Sequence, residues 1–410
     1  MSKIKTVRAR EVCGRDRFPA IEATVITEDG CVGTAVAAAG SSVGDYEIKF
    51  IYDEDRYAGR GMLRAVKNVN EIIAPALKGM EVTRQREMDE KMLKLDGTPD
   101  KSRLGGNAIG SVSAAVLKAG ARSLGLPLYQ YIGGVNACIL PVTMMSVDTG
   151  GSRRYGGGER GGGKPVFEFM SYGAKSFSEC LYMNWTLAHE FNKRRKPLRD
   201  VKDDEEILEE MTATIEELGY SKKVGFHIDV AGGCFYGKKK GKFIGLFSRK
   251  EKTKEDMIEL YKKWITKYPI VDLEDPLDFD DLEGHVTLVK ELRIQITGDD
   301  LFATGLAPNF RKAIEMGVAN AMVLKVNQIG SITEAFDAVQ YICRHGYRVF
   351  PGASRGEGAD LADYAVGLGA GLSKSASWND LANRYLAIEG ELDSSAKFLG
   401  IKALNLRRSP

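Results

Sequence analysis

The sequence is poor in the residues that would mark a secreted or zinc-binding protein. Its six cysteines, at positions 13, 31, 138, 180, 234 and 343, are scattered and form no CxxC pair. Only four histidines accompany them, and none is spaced to complete a zinc site. The thiols are therefore expected to be reduced, as in a cytoplasmic protein. No run of about 18 apolar residues occurs, so no membrane-spanning helix is expected. The first residues, MSKIKTVRAREVCGRDR, lack the apolar stretch of roughly 7–15 residues that a secretory signal needs, and the expected location is the cytoplasm. An excess of one charge is also missing. Lys plus Arg number 58 and Asp plus Glu 56, for a net charge of +2. That balance gives no general pull toward nucleic acid or membrane and favours a small-molecule partner.

What is present is a long, ordinary globular composition. The chain has 410 residues, 43% hydrophobic and 28% charged, which is too long for one ordinary core and suits a large barrel with an added domain. Residues 21–27 alternate as a strand, close at Glu28-Asp29-Gly30, and are followed by a second strand over 31–38, so a hairpin is expected. The small, polar stretch 37–47, with Ser41 and Ser42 at its tip, reads as a mobile surface loop. Helical spacing then runs through 60–77, 87–97 and 107–125. Together these make a small α+β domain over residues 1–134.

From residue 135 to 410 short apolar runs alternate with amphipathic helices, the pattern of a parallel sheet wrapped by helices. Strands are predicted at 226–230, 270–273, 295–297, 321–326 and 348–350, with helices at 254–268, 306–317 and 331–346. Successive βα units over so long a stretch predict an α/β fold of the (β/α)8 barrel type. One segment is irregular: residues 149–165 carry eight glycines and four basic residues and read as a long flexible loop.

The chemistry sits at the strand ends. HIDV places Asp229, VDLEDP places Glu274, TGDD places Asp299, and the next strand delivers Lys325. Barrel strands end at one rim, where the active site of such folds lies. Any single carboxylate there is as readily a helix cap. Three on consecutive units, followed by a lysine, are better explained by a hard divalent cation, and all-oxygen ligation suits Mg²⁺ better than zinc. Lys325 would then serve as a base toward a carbon acid beside a carboxylate, whose developing charge a metal must help to carry.

These residues resemble the enolase (phosphopyruvate hydratase) family. AVKNVNEIIAPAL, LDGTPDKSRLGGNAIGSVS, EFMSYGAKSFSE, HIDVAGGCFY, YPIVDLEDPLDFDDLEGH, GDDLFATG, LKVNQIGSITEAFDA and LANRYLAIEGEL are similar to enolase segments and stand in enolase order along almost the whole chain. The resemblance implies an enolase-like (β/α)8 barrel behind a smaller α+β domain, a Mg²⁺-dependent hydro-lyase, and assembly as a dimer or octamer. Lysine plus magnesium is the known arrangement for sites of this superfamily, so that pairing is taken from the resemblance. Residue by residue, Asp229, Glu274 and Asp299 correspond to the metal ligands and Lys325 to the base. Lys374, in LSKSAS, corresponds to the lysine that holds the substrate carboxylate. Glu168, in FEFM, corresponds to the acid near the leaving hydroxyl, and Ser42 to a loop serine that helps bind a second magnesium.

Departures from the family pattern are confined to substrate handling. The GDEGG loop, which supplies a glutamate for loss of the hydroxyl, is replaced by HEFNKRRKPLRDVKDDEEILEEM. Arg153 stands where the substrate-loop histidine is expected. FPGASRGEG has no second histidine, and Arg355 there corresponds to the phosphate-binding arginine. The basic loop with Arg153, Arg154, Arg160 and Lys164 either clamps a phosphate or carboxylate or is a solvated linker. Three readings result: dehydration of 2-phosphoglycerate with substitute groups, a related lyase or isomerase on another phosphorylated or unphosphorylated hydroxy acid, or a silent paralogue kept for binding.

Overall fold

The computed structural model describes residues 2–14, 18–40, 46–158, 161–195, 201–374 and 379–406. The chain opens with a three-stranded antiparallel sheet, β1 (Ile4–Cys13), β2 (Pro19–Thr27) and β3 (Val32–Ala37), in that order. The expected hairpin is β2–β3, with Ile21 opposite Ala37 and Val25 opposite Gly33. In β2 the side chains of Ile21, Ala23 and Val25 are fully buried, as period-2 alternation requires. They pack under the helix Gly106–Ser123, which is itself buried along most of its length. The close approach is made possible by Gly33: a Cβ there would stand 2.0 Å from the Ala115 carbonyl oxygen and 2.5 Å from the Ala119 nitrogen.

The helix predicted over 60–77 is broken into Leu63–Asn68, a π turn at Val69–Ile73 and Ala74–Leu77. Pro75 has no N–H to give the helical ladder, and the Ala74 N–H reaches back to the Val69 carbonyl. The stretch 37–47 is not simply a surface loop. Ala37 and Ala38 are buried, and the Ala38 N–H donates to the Arg355 carbonyl at 2.8 Å. Its tip, with Ser42, lies outside the described residues.

The second half forms an eight-stranded sheet of β4 (Val142–Val147), β5 (Val166–Met170), β6 (Gly225–Asp229), β7 (Ile270–Glu274), β8 (Gln295–Gly298), β9 (Ala321–Leu324), β10 (Arg348–Pro351) and β11 (Leu372–Ser373). Its spatial order is β10-β9-β8-β7-β6-β5-β4-β11, and a bridge between Gly352 and Lys374 joins the two ends into a barrel. The five strands expected from sequence are present, with β9 ending at Leu324 because Val326–Ile329 turns into a short helix. The helix expected from 306 begins at Phe310, since Pro308 disfavours helical geometry in Ala307 before it.

The expectation of an all-parallel sheet is corrected. β5 runs antiparallel to both β4 and β6. Among the described residues between β4 and β5 there is one short 3₁₀ turn, Ser152–Tyr155, and no crossover helix to carry the chain back to the far end. Consequently β5 starts at the rim where β6 and β7 end, with Val166 opposite Asp229.

Helix starts are capped as composition suggests. Ser176 accepts from the Glu179 N–H, Ser331 from Glu334, and Thr253 with Asp256 forms a capping box. Among the described residues no helix is long and apolar enough to cross a membrane.

Two glycines are expected to respond oppositely to alanine. Gly33→Ala drives a methyl into helix backbone and is expected to destabilise the fold by about 3 kcal/mol. Gly390→Ala lies exposed in the helix Asp380–Leu392 with no atom within 4 Å of the added carbon, and is expected to gain about 0.5–1 kcal/mol. Urea midpoints of the two variants against the parent check both signs.

Candidate active site

The barrel's strand ends converge on a cavity of ≈ 270 Å³ lined by Lys164, Glu168, Asp229, Asp299, Lys325, Arg355 and Lys374 among others. Asp229 closes β6 and Glu274 closes β7, and the two are direct neighbours in register. Asp299 follows β8 two residues after Thr297, the partner of Glu274 across the next pair, so its side chain returns to the same face. All three carboxylates are buried, with relative exposures of 2%, 1% and 9%. Among the described residues no three His, Cys, Asp or Glu side chains are gathered as a ready-made metal cage. Ammonium groups stand against the carboxylates instead. Lys325 pairs with Asp299, Lys374 pairs with both Asp229 and Glu274, and Lys164 pairs with Asp229.

Beneath this rim lies a layer that sequence reading missed. His227 Nδ1 is 2.9 Å from Asp272 Oδ2, and that carboxylate also receives Gln295 Nε2 at 3.0 Å and Thr297 Oγ1 at 2.8 Å. All four side chains are completely buried. The other ring nitrogen of His227 faces Glu274 Oε2 at 3.4 Å and Glu168 Oε2 at 3.6 Å. Burial opposes a charge on this imidazole, but Asp272, Glu274 and Glu168 around it raise it to about 9. Glu274 moves the other way: burial is outweighed by Lys374 and His227, which hold its carboxyl well below the usual carboxylate range. For Lys374 burial is outweighed by Glu274 and Asp299, which keep the ammonium above its ordinary value. Burial and the Lys374 ammonium lower Lys164 to about 8. The signal for the hidden layer was available, since His227 and Asp272 each sit two residues before a rim carboxylate and so share its face.

Six of the nine residues singled out from sequence line the one cavity: Lys325, Lys374, Glu168, Asp229, Asp299 and Arg355. Glu274 stands immediately behind them, bonded to Lys374. Glu168 is 7% exposed, and its Oε2 has no hydrogen-bond partner. Arg355 is 3% exposed. Its guanidinium bonds Glu47 and Ser354, with Nε to Glu47 Oε2 at 2.8 Å and Nη1 to Ser354 Oγ at 2.7 Å. Ser42 lies outside the described residues, as does the side chain of Arg153. Asp275 and Asp300 also line the cavity and were not foreseen. Burial and neighbouring carboxylates raise both, Asp275 strongly and Asp300 to about 6.

The glycine-rich segment 149–165 departs from the expected flexible loop. Tyr155 is buried at 9% exposure. An added Cβ on Gly157 would lie 1.8 Å from the Ile244 carbonyl oxygen, and one on Gly158 2.6 Å from the Phe235 ring. Arg154, left by the sequence between an anion clamp and a solvated linker, pairs with buried Asp204 at 2.5 Å and lies over the Tyr155 ring. It is absent from the cavity lining, whereas Lys164 is part of it.

Comparison with known proteins agrees with this arrangement. The family described as "Enolase, C-terminal TIM barrel domain" matches residues 137–406, and "Enolase, N-terminal domain" matches residues 4–132. The chain is similar to the enolase of Methanopyrus kandleri, 40% identical with 97% of this chain and 98% of that protein covered. It is also similar to the enolase of Thermococcus gammatolerans, 41% identical with 98% of both covered, and to that of Methanocaldococcus jannaschii, 40% identical with 97% of both covered.

The Arg154–Asp204 pair holds the residues that follow β4, and its contribution to stability depends on pH. Burial lifts the Asp204 carboxyl to about 6 even though the Arg154 guanidinium opposes the shift. A carboxyl raised in the folded state binds its proton more tightly there than in the unfolded chain. Its contribution to stability is therefore full below about pH 4 and lost as pH rises through about 6. The melting temperature of the parent relative to Asp204→Asn is expected to fall between pH 4 and 6 and to level off above. A difference that is flat across that window counts against the assignment.

Proposed function

Because the chain belongs to the enolase family, whose members are carbon–oxygen hydro-lyases, we propose that it removes the proton next to a substrate carboxylate and expels a hydroxyl, with 2-phosphoglycerate as substrate and phosphoenolpyruvate as product. In this reading residues 1–134 form the smaller domain and residues 135–410 the barrel domain that carries the site. The observation that carries it is the convergence of Lys325, Lys374, Glu168 and the rim carboxylates on one cavity. Full-length identity to curated enolases supports it.

The donor set fits a divalent cation. Asp229, Glu274 and Asp299 offer only oxygens, their carboxylates already attract cationic groups, and Asp299 Oδ1 is buried without a partner. Mg²⁺ held there would supply the positive charge that makes a carbon acid beside a carboxylate removable. Lys325, 8% exposed and fixed by a bond from its own N–H to Thr304 Oγ1 at 3.1 Å, is the group that takes the proton. Lys374, held at the barrel seam by its N–H to the Pro351 carbonyl, orients the substrate carboxylate. Glu168 lines the same cavity, placed to serve the departing hydroxyl, while its buried Oε2 faces His227. Arg355 is the phosphate contact. Glu47 shares its guanidinium, so substrate binding must redistribute that ion pair. The replaced GDEGG-like region and the absent histidines leave Glu168 with more of the acid's work than in the family pattern. Cytoplasmic residence and homo-oligomeric assembly belong to the same reading and are carried by the family resemblance.

Purified protein with Mg²⁺ and 2-phosphoglycerate is expected to produce phosphoenolpyruvate absorbance. Lys325→Ala should remove both turnover and exchange of the α-proton in deuterated water. Glu168→Gln should slow elimination by about 10²–10⁴ while exchange continues. Unchanged turnover in Lys325→Ala would refute the assignment of the base.

A further inference from the structure

Among the described residues that line the cavity, Lys164 is the cation that does not belong to the enolase-like motifs of this chain. It precedes β5 by two residues, and because β5 runs against β6, Val166 lies opposite Asp229 and Lys164 emerges beside that carboxylate. The Gly161 N–H bonds the Gly158 carbonyl at 2.8 Å, and residues 161–164 turn, with the Lys164 N–H on the Gly161 carbonyl at 2.9 Å. Gly156, Gly158 and Gly162 adopt positive φ of 82°, 67° and 56°, conformations that glycine reaches at little cost. Two ammonium groups, Lys164 and Lys374, thus meet at the same Oδ2 of Asp229. They are held differently. Lys374 is bridged into the barrel at Gly352 and has Glu274 as a second partner. Lys164 rides on a glycine-rich segment outside the sheet, with its side chain 27% exposed.

We propose that Lys164 is an internal counter-ion that competes with a divalent cation for Asp229, so that metal uptake and displacement of residues 161–164, where Gly162 and Gly163 face open space, are one event. This rests on the reading of Asp229 as a metal ligand. An ammonium and a divalent cation repel each other, and in a buried site that repulsion is poorly screened. The lysine therefore leaves the carboxylate as the metal arrives. The glycine turn lets it do so without disturbing β5. In the absence of metal the same lysine balances a buried carboxylate that would otherwise be repelled by Glu274 beside it.

The test is calorimetric titration of metal-stripped, full-length protein with Mg²⁺, together with hydrogen exchange of the 161–164 amides. Lys164→Met is expected to bind Mg²⁺ about tenfold more tightly than the parent, and Lys164→Arg to bind like the parent. In the parent Mg²⁺ should speed exchange in 161–164, and in Lys164→Met exchange should already be fast and unresponsive. Lys164→Gln replaces the methionine variant if the latter melts below the assay temperature. Equal or weaker Mg²⁺ affinity in the folded variants, or parent exchange that ignores Mg²⁺, overturns the proposal. Asp229→Asn separates the two claims: loss of Mg²⁺ binding there with no gain on removing Lys164 overturns only the counter-ion, whereas retained binding overturns the ligand reading itself.

Discussion

The site depends on compensating carboxylates that neighbouring strands force together. Asp229 and Glu274 are cross-strand partners, and Asp299 comes from the next strand of the same barrel. Leaving such groups buried and unpaired would cost several kcal/mol each. The chain answers with cations from three separate elements, Lys325 after β9, Lys374 after β11 and Lys164 before β5. Lys325 and Lys164 come from strands adjacent to those of their partners, whereas Lys374 comes from the strand at the other end of the sheet, so its share of the compensation exists only once the barrel has closed. Closing the barrel and completing the site are thereby one step. The buried His227–Asp272 pair extends the same alternation inward, giving Glu274 a cationic neighbour below as well as above.

The smaller domain completes the rim from the other side. The Glu47 carboxylate reaches Arg355, and Gln328 donates to Glu47 at 3.2 Å. Asn327 donates to the carbonyls of both Val36 and Arg355. The loop that follows β3 and the loop that follows β10 therefore hold each other. In the proposed reading Arg355 meets a phosphate, and such an arginine is useful only if its charge is both positioned and exchangeable. A carboxylate from another element provides the first through two guanidinium contacts and the second because an incoming anion can take its place.

How far these features were legible depends on what kind of information each requires. Strand ends were legible because an apolar run that stops in a charged residue fixes both the burial and the rim position of that residue, as at Asp229, Glu274 and Lys325. The hairpin β2–β3 followed from alternation and the turn at Gly30. The direction of β5 was not legible, since periodicity is the same for a strand read either way. That one omission concealed why Lys164 reaches Asp229. Arg154 and Lys164 illustrate the same limit within one segment. Both are cations among glycines, yet Arg154 is drawn to Asp204, a carboxylate 50 residues away, and Lys164 to the cavity.

The direction of β5 also decides which loop meets the cavity. A strand that begins at the rim puts its preceding loop over the cavity, whereas a parallel strand would put that loop at the far end. Residues just before β5, Gly161 and Lys164 among them, therefore line the cavity without belonging to a barrel strand. The same holds for the loop carrying Ser354 and Arg355 after β10. The carboxylates and Lys325, by contrast, close or immediately follow strands whose registers are mutually fixed, so moving any one would disturb the hydrogen bonding of its neighbours. In the proposed reading, proton abstraction is thus tied to the frame of the barrel, and recognition of the leaving group and phosphate to loops. A chain of this architecture can vary the second while its fold conserves the geometry of the first.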